Sequence, residues 1–203
     1  RWLWRDDRVT LAIVLSTGML FVAYIGWITY YSAYMEYDFA GGAKRIGLLF
    51  IVGGCAELIG NFGAPAISHR VPARRVALVG MAGMALALLG SGIVFRTMGG
   101  LFAAIALLHL CTSFAYVGTN TLLVRRPERI RGTVLALSSA SAGLGGALGA
   151  SIGGGVLAAT NDYERVFQAL GVLLAFSAVG LWLIFRMAGN SAIVETGAPL
   201  WQE

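Results

Sequence analysis

Charge is scarce in this sequence: Asp, Glu, Lys and Arg make up 12% of 203 residues, against about 25% in a soluble domain. That shortage excludes an ordinary water-soluble domain. Cysteine is nearly absent as well. Cys55 and Cys111 both fall in apolar runs, so they read as small packing residues rather than a disulfide or metal framework. No low-complexity tract and no soluble linker is visible, and no metal or cofactor is expected. What fills the chain is a set of long apolar runs, at 9–35, 46–67, 76–95, 99–124, 133–160 and 166–185. Each approaches or exceeds the roughly 20 apolar residues that a helix needs to cross a hydrocarbon core. Six spans in this length leave no room for a separate soluble or nucleotide-binding domain, so any function resides in the spans.

The charges that do occur are sorted by loop. The head 1–8, the loop after the second span, the loop after the fourth and the tail 187–203 hold eleven Lys and Arg; the alternate loops hold four. Cytoplasmic loops retain positive charge, so both termini are expected in the cytoplasm. The net charge of +5 then reflects membrane topology, and nucleic acid is not an expected partner. Trp2, Trp4, Tyr30, Tyr31, Tyr34 and Tyr37 lie at or near the ends of the first span, where aromatic rings favour the headgroup region. The chain starts at Arg1 rather than Met, and is expected to be an excerpt of a longer one.

Two loops carry a resemblance. Ser68-His69-Arg70-Val71-Pro72-Ala73-Arg74-Arg75, after the second span, resembles the Asp-Arg-x-Gly-Arg-Arg loop of the major facilitator superfamily. Arg125-Arg126-Pro127-Glu128-Arg129-Ile130-Arg131-Gly132, after the fourth, resembles the Pro-Glu-x-x-Arg-Gly connection into that family's eleventh helix. The glycine-rich fifth span, Gly143 to Gly155, resembles the eleventh helix itself. His69 stands where the family loop has its acid and Pro72 where it has its glycine. The resemblance implies an all-α integral membrane fold: a six-helix half built from two three-helix repeats, equivalent to helices seven to twelve of a transporter. It implies alternating access with a missing N-terminal six-helix half as partner, and a small-molecule substrate. The short loops and glycine-rich fifth span are similar to those of bacterial proton-coupled efflux permeases, which suggests an antiporter of the inner membrane.

Glu57 is the one charged residue deep in a span. An ionised carboxylate near the bilayer centre costs about 2.5–3.5 kcal/mol on insertion scales, and desolvation favours its protonated form. Three roles are open: a proton- or cation-coupling site, a hydrogen-bonded glue between helices, or direct contact with a substrate. Gly53 and Asn61 share its face. On the fourth span His109, Ser113, Tyr116 and Asn120 recur at helical spacing, a polar stripe that avoids lipid. The resemblance implies that this span lines a central cavity. His109 is a second proton candidate, since an unperturbed imidazole titrates near neutrality; the alternative is a hydrogen-bond partner. Tyr24 and Trp27 on the first span form either an aromatic cavity wall, suited to a planar, amphipathic or cationic substrate, or ordinary packing. Gly145, Gly149 and Gly153 make a smooth strip for close helix approach, facing either the missing half or a neighbour in the same bundle.

Other functions fit less well. An intramembrane serine protease needs a serine in a Gly-x-Ser-Gly setting and a later histidine; Ser91 follows Leu89-Gly90, and no histidine follows His109. A channel is weakened by the lack of an Asn-Pro-Ala half-helix or filter-like loop. A half-transporter that works as a homodimer remains an alternative.

Overall fold

The computed structural model describes residues 8–39, 42–68 and 70–188, and all regular structure among them is helical. Trp2, Trp4, His69 and the tail after Ala188 lie outside the described residues. The helices are α1 Arg8–Phe39, α2 Gly42–Ser68, α3 Ala73–Leu89, α4 Ser91–Val94, α5 Met98–Val124, α6 Glu128–Thr160 and α7 Tyr163–Ala188. Five of these (α1, α2, α5, α6 and α7) are long and apolar enough to cross a membrane. The span expected at 76–95 is divided: α3 has 17 residues and stops at Gly90, after which α4 adds one turn. Glycine in a helix interior is about 1 kcal/mol less favourable than alanine, and Gly90 and Gly92 flank the break.

Local chemistry sets the other boundaries. The Thr97 hydroxyl accepts from the Gly100 N–H at 3.0 Å and so caps α5. Pro127 precedes α6, whose first turn carries Glu128 toward the positive end of the helix dipole. At its far end Asn161 takes a left-handed conformation, φ 53°, and its N–H closes on the Leu157 carbonyl at 2.7 Å. One residue on, Asp162 Oδ1 accepts from the Glu164 N–H at 2.8 Å to start α7.

Most helix packing runs between two triplets, α1–α3 and α5–α7, rather than within them. The first helix of each triplet packs on the second of the other: α1 on α6, and α5 on α2. It also packs on the third, α1 on α7 and α5 on α3, while α3 and α7 meet each other. By contrast, α1 and α2 barely touch.

The closest seam is α1 on α6, and it decides between the two readings of the glycine strip. A Cβ on Gly145 would collide with the Gly18 carbonyl, one on Gly149 with the Val22 carbonyl, and one on Gly153 with the Tyr30 ring. Ser141 Oγ donates to the Val14 carbonyl at 3.1 Å and Tyr30 Oη to the Ala150 carbonyl at 2.6 Å along the same seam. The strip therefore faces α1 in its own bundle and not a missing half, because α1 supplies small residues, Gly18 and Gly26, in matching register. The aromatic anchors also need correction. Tyr31 and Tyr34 are 1% and 2% exposed, held in the core by ring contacts with Trp27 and Phe167, whereas Tyr37 is exposed. Large apolar side chains remain on the outside, among them Phe62, Val79, Ile93 and Phe176, which suits a lipid surround as apolar as leucine.

Gly149→Ala is expected to destabilise the protein by about 2 kcal/mol through overpacking. Gly155→Ala, where a Cβ meets nothing within 4 Å, should be neutral or stabilising by up to about 1 kcal/mol. Thermal unfolding in detergent checks both; equal effects would contradict the seam.

Candidate functional site

Three helices converge on one carboxyl group. Glu57 lies mid-way along α2, His109 on α5 and Tyr24 on α1. His109 Nδ1 is 3.1 Å from Glu57 Oε2, the Tyr24 hydroxyl donates to the same oxygen at 3.1 Å, and its oxygen lies 3.3 Å from Nδ1. His109 is nearly buried, its side chain 6% exposed, while that of Glu57 is 39% exposed. One nitrogen, one carboxylate oxygen and one phenol oxygen thus form a closed triangle with an open side at Glu57.

Two small residues on α2 make this approach possible. Gly53 sits one turn before Glu57, and a Cβ there would lie 2.5 Å from His109 Nε2. Gly60, a turn after, admits Ser113, whose hydroxyl donates to the Glu57 carbonyl at 3.2 Å. Spacings of 53, 57, 60 on α2 and 109, 113 on α5 therefore interlock and fix the register that brings carboxylate to imidazole. Behind the imidazole, the Trp27 and Tyr24 rings present edge-to-face contacts, each 5.6 Å between centroids, and Trp27 stacks on Tyr31 at 5.1 Å.

The triangle can hold a proton in two arrangements. With Glu57 ionised, Nδ1–H donates to Oε2; with Glu57 protonated, Oε2–H donates to Nδ1 and the other tautomer is selected. A hydrogen bond to the ionised carboxylate contributes about 1.5–3 kcal/mol and one between the neutral groups about 0.5–1.5 kcal/mol, so each arrangement keeps its hydrogen bond. The pair sits part-way along two helices that are long and apolar enough to cross a membrane.

The sequence-derived candidates separate into two groups. Glu57, His109 and Tyr24 meet directly. Trp27 and Ser113, expected on a cavity wall, are instead packed inside: Trp27 is fully buried and Ser113 2% exposed, because α1 and α5 close over them. Tyr116 is 37% exposed, Asn61 is exposed and Asn120 half-buried; no hydrogen bond among the described residues joins them to the triangle. Phe21 was not singled out, yet it joins α1 to α5 through an edge contact with Tyr116 at 5.4 Å. Its place one turn before Tyr24 was the available signal. In the loop before α3, Arg70 and Arg75 are exposed and Arg74 half-buried, with the turn closed by the Arg70 and Val71 N–H groups on the Ile67 carbonyl.

A family model described as Major Facilitator Superfamily matches residues 9–200. The chain belongs to the major facilitator superfamily. It is therefore an integral membrane protein of a transporter family rather than of an enzyme family. No curated protein matches the chain. Membership in the major facilitator superfamily gives the triangle its setting: an ionisable cluster where helices of a transporter meet.

Burial separates two neighbouring positions on α5. In a background of Cys55→Ala and Cys111→Ala, Tyr116→Cys should react readily with a water-soluble thiol reagent and Ser113→Cys slowly, a contrast read by mass shift. Equal labelling at the two positions would contradict the packing of α5 on α2.

Proposed function

We propose that the chain is the C-terminal six-helix half of a proton-coupled secondary transporter. It exports a small molecule by alternating access against an N-terminal six-helix half. The observation that carries this reading is the Glu57–His109–Tyr24 triangle, a proton-binding cluster formed where helices from both triplets meet. On this reading α3 and α4 together make the third of the six spans, and both termini are cytoplasmic, following the charge of the loops. The host is a bacterial inner membrane, and the partners are the bilayer, protons and the substrate. Export and antiport rest on the likeness of the short loops and glycine-rich α6 to efflux permeases.

The cluster has the properties that coupling requires. It is reachable, since the Glu57 side chain is only partly covered. It also connects three helices, so that a change of protonation alters the contacts between them.

Glu57→Gln in the full-length protein is expected to abolish proton-driven transport in vesicles while substrate binding without a gradient persists. His109→Gln should weaken coupling by about 10- to 100-fold, in line with one or two charge-assisted hydrogen bonds. Unchanged driven transport in Glu57→Gln would sink the proton-coupling reading.

A further inference from the structure

Two neighbouring helices carry an apolar stripe on the outside, and each stripe ends in an exposed arginine. On α3, Val79 and Leu86 follow Arg75 along one face; on α7, Phe176, Val179 and Leu183 lead to Arg186 at steps of three or four. The two helices pack on each other and run antiparallel. A Cβ on Gly92, just past α3, would lie 2.8 Å from Glu164 Oε2, and one on Gly171 would lie 3.0 Å from the Leu88 Cβ, so numbers fall along one helix as they rise along the other. From Leu88 back to Arg75 is about 20 Å by the helical rise, and from Gly171 on to Arg186 about 23 Å. Both arginines therefore reach the same rim. Helices in contact lie about 8–10 Å apart, a gap that two long side chains can bridge to one headgroup.

The end of α5 adds to this rim from the other side of α3. Thr112 Oγ1 donates to Met84 Sδ at 3.2 Å, and a Cβ on Gly118 would lie 2.5 Å from the Ala77 nitrogen. The same antiparallel register brings Arg125 level with Arg70. Loops 70–75 and 125–131 together hold seven arginines and one acid, Glu128, and Arg186 makes the eighth arginine. The opposite rim is balanced: Glu36, Asp38, Asp162 and Glu164 stand with Lys44, Arg45, Arg96 and Arg165, and Arg165 Nε is 3.7 Å from Asp162 Oδ2.

Membrane topology asks only for positive charge, which lysine supplies equally. The eight cations of the basic rim are all arginine, whose planar fork matches a phosphate through two N–H groups. Arg186 is also oriented, since its guanidinium lies 5.5 Å from the centroid of the Trp182 ring, and indole itself favours the headgroup layer.

We propose that the outer face of α3 and α7 binds an anionic phospholipid, its phosphate on Arg75 and Arg186 and its acyl chains along the two apolar stripes. Charge selects the occupant. A zwitterionic lipid brings an ammonium group into the field of the arginines, whereas an anionic headgroup neutralises part of it. The assignment goes beyond the transporter reading and does not depend on Glu57.

The probes are dioleoyl phosphatidylglycerol and dioleoyl phosphatidylcholine, which share their acyl chains. Each is added to the purified full-length protein in neutral detergent, and native mass spectrometry counts the lipid retained. Phosphatidylglycerol is expected to be retained about tenfold more strongly than phosphatidylcholine. Arg75→Gln and Arg186→Gln should each lower that preference about two- to fivefold, while Arg165→Gln on the balanced rim leaves it unchanged. Arg186→Lys, which keeps the charge and loses the fork, should fall between wild type and Arg186→Gln. Thermal unfolding of the variants without added lipid confirms that they fold. Equal retention of the two lipids, or a preference that survives the double variant Arg75→Gln/Arg186→Gln, overturns the proposal. A preference that emerges only when residues 189–203 are removed assigns the rim to the chain's own tail and overturns it as well.

Discussion

A carboxyl group placed mid-way along a membrane-crossing helix persists only where other helices bring hydrogen bonds to it. That single requirement organises the centre of this bundle. Glu57 cannot be served by α2, whose own backbone groups are paired in the helix, so α5 and α1 must come within hydrogen-bond reach. Gly53 and Gly60 lower the surface of α2 on either side of Glu57 and let His109 and Ser113 in. Trp27 then fills the space behind the imidazole and limits its rotation. The polar stripe on α5 and the glycines on α2 are thus two halves of one fit, and neither is interpretable alone.

The same fit explains which features were legible in the sequence. Glu57 stood out because a lone acid in an apolar run violates the composition around it, and His109, Ser113 and Tyr116 because their spacing repeats a helical face. Periodicity reports that a face is polar or small; it does not report which helix the face meets. The Gly145, Gly149, Gly153 strip is the clear case. Its smoothness was visible, but its partner was not, since Gly18 and Gly26 on α1 look unremarkable until placed opposite it. Burial was equally hidden. Trp27 and Tyr24 sit three residues apart on one face, yet one is sealed in the core and the other reaches Glu57, a difference set by where α5 and α7 close on α1. The break at Gly90 was missed for a related reason: an apolar run carries the same hydropathy whether or not its helix is continuous.

The exchanged packing of the two triplets places the triangle at an unusual joint. α1 and α2 barely touch along their lengths, so the Tyr24 hydroxyl on Glu57 Oε2 is a large part of what connects them. A ligand or proton shifts a conformational equilibrium only by its differential interaction with the two states. Protonating Glu57 changes the strength of that bridge, from a hydrogen bond to a carboxylate toward one between neutral groups, a difference on the order of 1 kcal/mol. That is about a fivefold shift between arrangements of α1 and α2. Full conversion between two states, from 1:99 to 99:1, requires about 5.5 kcal/mol. On the coupling reading proposed above, protonation at this joint would bias the bundle without driving it alone, and the remainder would have to come from groups that change neighbours in the same movement. The α1–α6 seam is too closely interlocked to be among them, since each glycine already lies against a backbone carbonyl or a ring. The α2–α5 contact is the better placed. It carries the same carboxylate, it is anchored by two glycine notches rather than a continuous strip, and the outer face of α2 leaves Ile51, Leu58, Ile59 and Phe62 exposed.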